Sequence, residues 1–217
     1  LKHVGLDMSD TSGYLLAIAL SVVIAFIGKW LISRQTYSHS DDAELQRANV
    51  EKVFALLMVV TACCMAFAHG SNDVANAIGP VSAIISVIME GEIASKTAVN
   101  SWVLLLGGIG IVFGLAMLGG KVIATVGNKI TTLTPSLGFS ANMAAASTVV
   151  AATYVGFPIS TTHTLVGAVI GVGLAKGVAH LDLASIGRIV MSWVITIPAG
   201  AIFTVLFYLF LKFSFGL

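Results

Sequence analysis

The sequence predicts an all-α polytopic membrane protein, a helical bundle in which some helices are broken or re-entrant. Three observations lead there. Hydrophobic residues make up 57% of the chain and charged residues only 10%. Soluble domains carry roughly 25% charged residues, so the charge needed to coat a water-facing surface is missing. Long apolar runs alternate with short polar links, as spanning helices require. Two of those runs are interrupted by polar clusters that contain Gly or Pro, where a spanning helix can break. Period-two alternation is not visible, which argues against an outer-membrane barrel. A formal net charge of +1 offers nothing to nucleic acid.

Residues 1–33 are expected as a first transmembrane helix with its N-terminal flank, its apolar run covering 14–32. Lys29 and Trp30 fall near its end, where a long amine can snorkel and an indole can rest at the interface. Residues 34–52 are the most polar stretch and predict a solvated loop with a short amphipathic helix. Its Arg34, Arg47 and Lys52 favour the cytoplasmic side. Residues 53–217 form the remaining transmembrane unit, with its two interruptions at 70–80 and 157–167.

Within that unit, 53–68 and 74–89 are apolar pieces of 16 residues each. At ~1.5 Å per residue neither comfortably crosses ~30 Å of hydrocarbon, so they read as a broken pair around the first polar cluster. Residues 101–119 can span, 121–140 is expected as a polar link, and 141–156 is again short. Residues 165–178 continue apolar, and a last span covers about 186–211. Gly110 with Gly114, and Gly167 with Gly171, are G-x-x-x-G pairs that predict close helix contacts. Adjacent Cys63 and Cys64 lack metal-ligand or C-x-x-C spacing and are expected as small buried packing residues.

The first interruption, "HGSNDVANAIGP" at 69–80, holds Asp73, the acidic residue of the hydrophobic pieces. A carboxylate at the bilayer centre costs at least ~2.5 kcal/mol, and no Lys or Arg lies in the adjoining runs. Protonation or a bound cation must offset it. A hard cation such as Na⁺ wants oxygen ligands. Asp73, the amide oxygens of Asn72 and Asn76, the Ser71 hydroxyl and carbonyls freed at a break can supply them. Gly70 permits the break and Gly79-Pro80 loosens the next turn. Asp73 and Asn76 are three apart and share a helix face. The plainer alternative is a polar helix–helix contact, which suits Asn76 taken alone.

The second interruption, "FPISTTHT" at 157–164, has the opposite character. Pro158 restricts Phe157 and can stop the preceding helix, while Ser160, Thr161 and Thr162 are natural N-caps. A helix that begins inside the membrane offers unpaired N–H groups and a positive dipole end to an oxyanion. Ordinary capping at an interface is the alternative. His163 is open to a proton-relay or a structural role, and His69 inclines to the structural one. "HGSND" also places His69, Ser71 and Asp73 close in sequence, which raises an intramembrane hydrolase. A triad needs the His between Ser and Asp in space, and G-x-S-x-G is absent.

These two stretches resemble the signatures of the inorganic phosphate transporter (PiT) family. "GSNDVANAIGP" at 70–80 is similar to its G-[SA]-N-D-V-A-N signature, and "FPISTTHTLVGAVIGVGL" at 157–174 to its P-[VI]-S-T-T-H signature. The resemblance implies cation-coupled symport of inorganic phosphate by alternating access, on two inverted repeats that each carry both signatures. It implies no enzyme and no cofactor. Carried over by position, Ser160, Thr161, Thr162, Asn72 and Ser71 would contact phosphate. Asp73, Asn76 and Asn72 would couple the cation, with Asp73 and Asn76 as Na⁺ ligands if sodium is the coupling ion. His163 would be the proton relay if H⁺ is.

Each signature occurs once here, so the chain resembles the C-terminal repeat of a bacterial permease, and its opening "LKHVGLDMSD" reads as the interior of a longer polypeptide. The partners then implied are phosphate, Na⁺ or H⁺, membrane lipid and the N-terminal repeat, with a homo-oligomer left open. The setting implied is a bacterial inner membrane. Coupling follows from charge: carrying a divalent anion against 100 mV takes ~4.6 kcal/mol, and two cations with H₂PO₄⁻ reverse the sign. A passive channel, or a carrier of another ion on a similar scaffold, is the alternative.

Overall fold

A computed structural model of the chain describes residues 10–34, 42–91 and 99–216. Among these, the regular structure is helical throughout: α1 (Asp10–Ser33), α2 (Ala43–Asp73), a π-helical turn (Val74–Ile78), α3 (Gly79–Glu90), α4 (Ser101–Lys129), α5 (Pro135–Val155), α6 (Thr161–Lys176), a 3₁₀ turn (Val178–His180) and α7 (Leu183–Phe215). Thr11–Ser33, Ala43–Met89, Ser101–Lys129 and Leu183–Phe215 are long and apolar enough to cross a membrane.

The core is built where α2 lies against α5. On α2 the buried residues are Thr61, Met65, Ala68 and Asn72, a 4-3-4 spacing that keeps one seam facing its partner. Facing them on α5 are Gly138, Ala145, Ala146 and Val149, mostly small residues that let the backbones come close. A Cβ at Gly138 would overlap the thioether of Met58. The two helices run parallel: Glu51 accepts from the Ser136 N–H (2.9 Å) and hydroxyl (2.7 Å), and Asn72 reaches Thr153 at the far end. Phe54 and Phe139 meet edge to face at 5.3 Å between centroids.

Local sequence sets the ends of α5 and α6. Thr134 caps α5, with Pro135 in its first turn, where a missing N–H costs nothing. Gly156 takes φ 79° after Val155, and Phe157 N–H donates to Ala152 O at 2.8 Å. That left-handed step ends the helix. Ser160 then caps α6 by accepting from the His163 N–H. Helix α6 therefore turns back along α5 and starts beside the C-terminal end of α2. Its other end joins a second apolar cluster of Ile130, Ala141, Val166 and Val169, against which Leu181, Ile186 and Trp193 pack.

The first polar cluster does not interrupt the helix as a loop would. Helix persists through it, with one π turn at Val74–Ile78. Pro80, in the first turn of α3, has no N–H for the Asn76 carbonyl four residues back, and there the ladder changes spacing. The expected polar link at 121–140 shrinks to 130–134, because α4 runs on to Lys129 and α5 begins at Pro135. The expected amphipathic helix of 34–52 is the opening of α2 from Ala43. Residues 35–41 of that stretch, and the flank 1–9, lie outside the described residues.

Two packing expectations are corrected. Cys63 and Cys64 are exposed, because they fall off the seam through Thr61, Met65 and Ala68. A Cβ at Gly110, Gly114, Gly167 or Gly171 would meet nothing within 4 Å, so neither G-x-x-x-G pair makes a close contact within the described residues. Besides Gly138, close approaches are at Gly107, where a Cβ would overlap Ile78, and at Gly173, against Leu181.

The topology also sorts charge. Ile24, Gly28 and Ile32 share a groove with Leu57 and Val60, so the end of α1 lies beside the start of α2. Helix α4 passes Ile78 near Gly107 and ends among Ile130 and Leu181. Seven of the nine described Lys and Arg residues consequently gather at one end of the bundle: Lys29, Arg34, Arg47, Lys52, Lys129, Lys176 and Arg188. The signature motifs meet away from that end.

Ala145 is fully buried in the α2–α5 seam. Ala145→Leu should destabilise the full-length parent by ~1–3 kcal/mol through overpacking, read as a lowered unfolding temperature in detergent. Asp182 caps α7, accepting from the Ser185 hydroxyl (2.6 Å) and N–H (3.0 Å), and these bonds hold its carboxyl below the usual range. A lowered folded-state pKa gives stability that is present above the unfolded value of about 3.9 and lost as pH falls through the folded one. The difference in unfolding temperature between the parent and Asp182→Asn should therefore shrink as pH drops below about 4; a difference that is flat down to pH 2 would contradict this.

Candidate functional site

The end of α2, the π turn and the start of α6 bring the two polar clusters together. Asp73 is not alone: His69, one turn earlier, places Nε2 2.7 Å from Asp73 Oδ2. The other ring nitrogen of His69, Nδ1, lies 2.9 Å from Thr161 Oγ1. A neutral imidazole protonated at Nε2 donates to the carboxylate and accepts the Thr161 hydroxyl proton; the imidazolium donates at both. One histidine thus ties the acid of the first signature to the first helical residue of the second. The compensation expected from protonation or a bound cation has a third contributor in His69.

A parallel chain of amides runs beside it. Asn72, 1% exposed, donates from Nδ2 to Thr153 Oγ1 at 3.1 Å and accepts at Oδ1 from Asn76 Nδ2 at 3.1 Å. Thr153 in turn donates to Val149 O at 2.8 Å. Asn76 Nδ2 gives its second hydrogen to Ile159 O at 3.0 Å, which engages both amide donors and leaves its Oδ1 as an acceptor. Spacing on α2 makes this possible: 69 and 73, like 72 and 76, are one turn apart and stack on a common face.

The expected site residues divide into two sets. Asn72 and Thr161 are buried and bonded across helices. Ser71, Asn76, Ser160, Thr162 and His163 are exposed on this chain, and Asp73 is partly so. The N–H groups of Thr161 and Thr162 open α6 and have no acceptor within it. Ser160 Oγ faces His163 Nδ1, and the His163 ring lies 3.8 Å from that of Trp193 on α7, tilted 31°. His163 is thereby engaged on the α7 side, away from the Asp73–His69 pair. The site is a surface with acceptors on α2 and donors on α6, side by side.

The sequence profile of the phosphate transporter family matches residues 3–204. The chain belongs to the phosphate transporter family. A protein of Haemophilus influenzae described as a candidate phosphate permease is 49% identical over 213 residues, covering 98% of this chain and 50% of that protein. The inorganic phosphate transporter 2-1, chloroplastic, of Arabidopsis thaliana is 50% identical over 157 residues, 71% of this chain and 27% of its own length. A solved structure titled the sodium-dependent phosphate transporter superposes with a TM-score of 0.73 at 41% identity, covering 89% of this chain and 48% of the other. The chain thus spans about half the length of the bacterial relative and of the solved structure it matches.

Membership in a family of transporters settles the chain as a multi-pass integral membrane protein rather than an enzyme. The hydrolase alternative also lacks its geometry, since both ring nitrogens of His69 are taken up by Asp73 and Thr161 rather than Ser71. His69 and Thr153 are the participants that sequence reasoning missed. The i, i+4 spacing of His69 to Asp73 was a usable signal. Thr153 stands 81 positions from Asn72, and nothing local points to it.

Thr153→Val removes the acceptor of the buried Asn72 amide. Leaving that donor unpaired should cost ~1–3 kcal/mol. Thermal unfolding of the full-length parent in detergent, with and without the substitution, checks this.

Proposed function

We propose that this chain is one repeat of a Na⁺-coupled symporter of inorganic phosphate working by alternating access. The observation that carries this reading is the assembly of both signatures at one place, through His69 to Thr161 and Asn76 to Ile159 O. The likeness to a sodium-dependent phosphate transporter favours Na⁺ as the coupling ion.

In this reading the cation binds first. Asp73 and Asn76 Oδ1 offer oxygens for Na⁺, and Asn72 holds the Asn76 amide in place. Neutralising Asp73 removes the repulsion an oxyanion would meet. Phosphate then docks on the opening turn of α6, against the N–H groups and hydroxyls of Thr161 and Thr162 and the Ser160 side chain. A helix start concentrates donors and positive partial charge there. Among the described residues no Arg or Lys is at the site, so hydroxyls, amides and the co-bound cation hold the anion.

The exposed half of this site is expected to face the N-terminal repeat, as in inverted-repeat carriers whose substrates bind between repeats. The gathered Lys and Arg residues favour placing their end in the cytoplasm, of a bacterial inner membrane. H⁺ coupling is the second reading, and the 2.7 Å contact of His69 with Asp73 is the observation that favours it. A passive channel would need neither.

The deciding experiment is ³²P-phosphate uptake into proteoliposomes of the full-length parent under imposed Na⁺ or H⁺ gradients. Asp73→Asn should lower Na⁺-driven uptake by about 10- to 100-fold, the worth of a charge-assisted contact, while membrane insertion is retained. His69→Gln should keep Na⁺ dependence with reduced uptake. Its loss of H⁺-driven uptake alone would instead support proton coupling, and uptake indifferent to both gradients would favour the channel.

A further inference from the structure

The basic end of the bundle carries a pocket distinct from the signature site. It measures ≈ 430 Å³ and is lined by the last residues of α4, the 130–134 link, the 3₁₀ turn and the first turns of α7. Its charged residues are Lys129, Arg188 and Asp182, with His180 at the 3₁₀ turn. Lys176 braces the link through Thr132, Nζ to Oγ1 at 3.3 Å.

Three features suit this pocket to an anion. The one acid lining it is already committed, since Asp182 caps α7 through both oxygens and its N–H donates to Ile130 O at 2.9 Å. Arg188 spends one donor on the Ser185 hydroxyl at 2.7 Å, and a guanidinium has five in a planar fork that matches phosphate oxygens. The third is Thr131, whose residue is only 4% exposed and whose Oγ1 has no hydrogen-bond partner among the described residues. A buried hydroxyl without a partner is costly, and it stands in the same wall as Lys129 and Arg188. Positive charge exceeds negative here, at an end where five further basic residues gather.

We infer that this pocket is a second anion site, built for a phosphate group held by Arg188 and Lys129. The group could belong to an anionic phospholipid headgroup at the membrane surface or to free inorganic phosphate. The inference does not depend on the transport reading, because it uses none of the signature residues.

The test uses the full-length parent purified in detergent and two probes. Native mass spectrometry measures retention of phosphatidylglycerol against phosphatidylcholine. Equilibrium binding of ³²P-orthophosphate is measured without Na⁺ in a Ser160→Ala, Thr162→Val background, which strips the signature site of its exposed hydroxyls and so separates this site from it. Lys129→Gln, which gives up no hydrogen bond seen within the described residues, should weaken binding about 5-fold, and Lys129→Gln with Arg188→Gln about 25-fold, at ~5-fold per charge. Loss of phosphatidylglycerol retention alone assigns the site to a lipid headgroup, and loss of orthophosphate binding alone assigns it to the free ion. Unchanged binding of both probes in both variants, with the protein monodisperse, overturns the inference.

Discussion

Gly138, Ala145 and Ala146 present so little side chain that α2 and α5 run together in close parallel contact, and the candidate site rests on that spacing. At the far end of the seam Asn72 is near enough to donate to Thr153, and through Asn72 the position of Asn76 is set. The short α5–α6 turn at Gly156 then returns the chain to the same place, so that Thr161 meets His69. A bulkier residue in the seam would move both hydrogen-bond chains at once. The site is therefore coupled to packing three turns away from it.

Electrostatics divide the molecule in two. Among the described residues no Lys or Arg stands beside Asp73; its carboxylate is met by the His69 imidazole, which in turn meets the Thr161 hydroxyl, and a chain of amides runs alongside. Such a site can change its net charge with its occupants, which a fixed Arg would prevent. At the other end Lys and Arg accumulate, where headgroups and water make them inexpensive. The same helices connect both regions, with α6 running from its Ser160 cap to Lys176.

Much of the chain's surface has no partner within it. The 18-residue windows of α1 and α7 are 0% buried, and that of α4 is 11%. Apolar exposure on this scale suits hydrocarbon, in which Leu and Phe need no covering. Exposed Asn76, Ser160 and Thr162 do not suit hydrocarbon, because unpaired polar groups are costly there. These hydroxyls and amides call for another polar surface, and the chain spans about half the length of the bacterial relative and of the solved structure it matches.

By itself the sequence determined the membrane class, most of the helical spans, the cap at Ser160, and the two signatures with their residues. Those are local properties: composition decides solvent, spacing decides helix faces, and Pro, Gly and Ser decide where helices stop. Tertiary structure alone decided that Asp73 has His69 and, through it, Thr161; that Asn72 depends on Thr153; that Cys63 and Cys64 are exposed; and that the basic residues share one end. Each of these rests on which helix lies beside which and in what direction. In a chain whose spans are almost uniformly apolar, hydrophobic pattern carries little of that information, and direct contacts between small residues and a few buried polar pairs supply it.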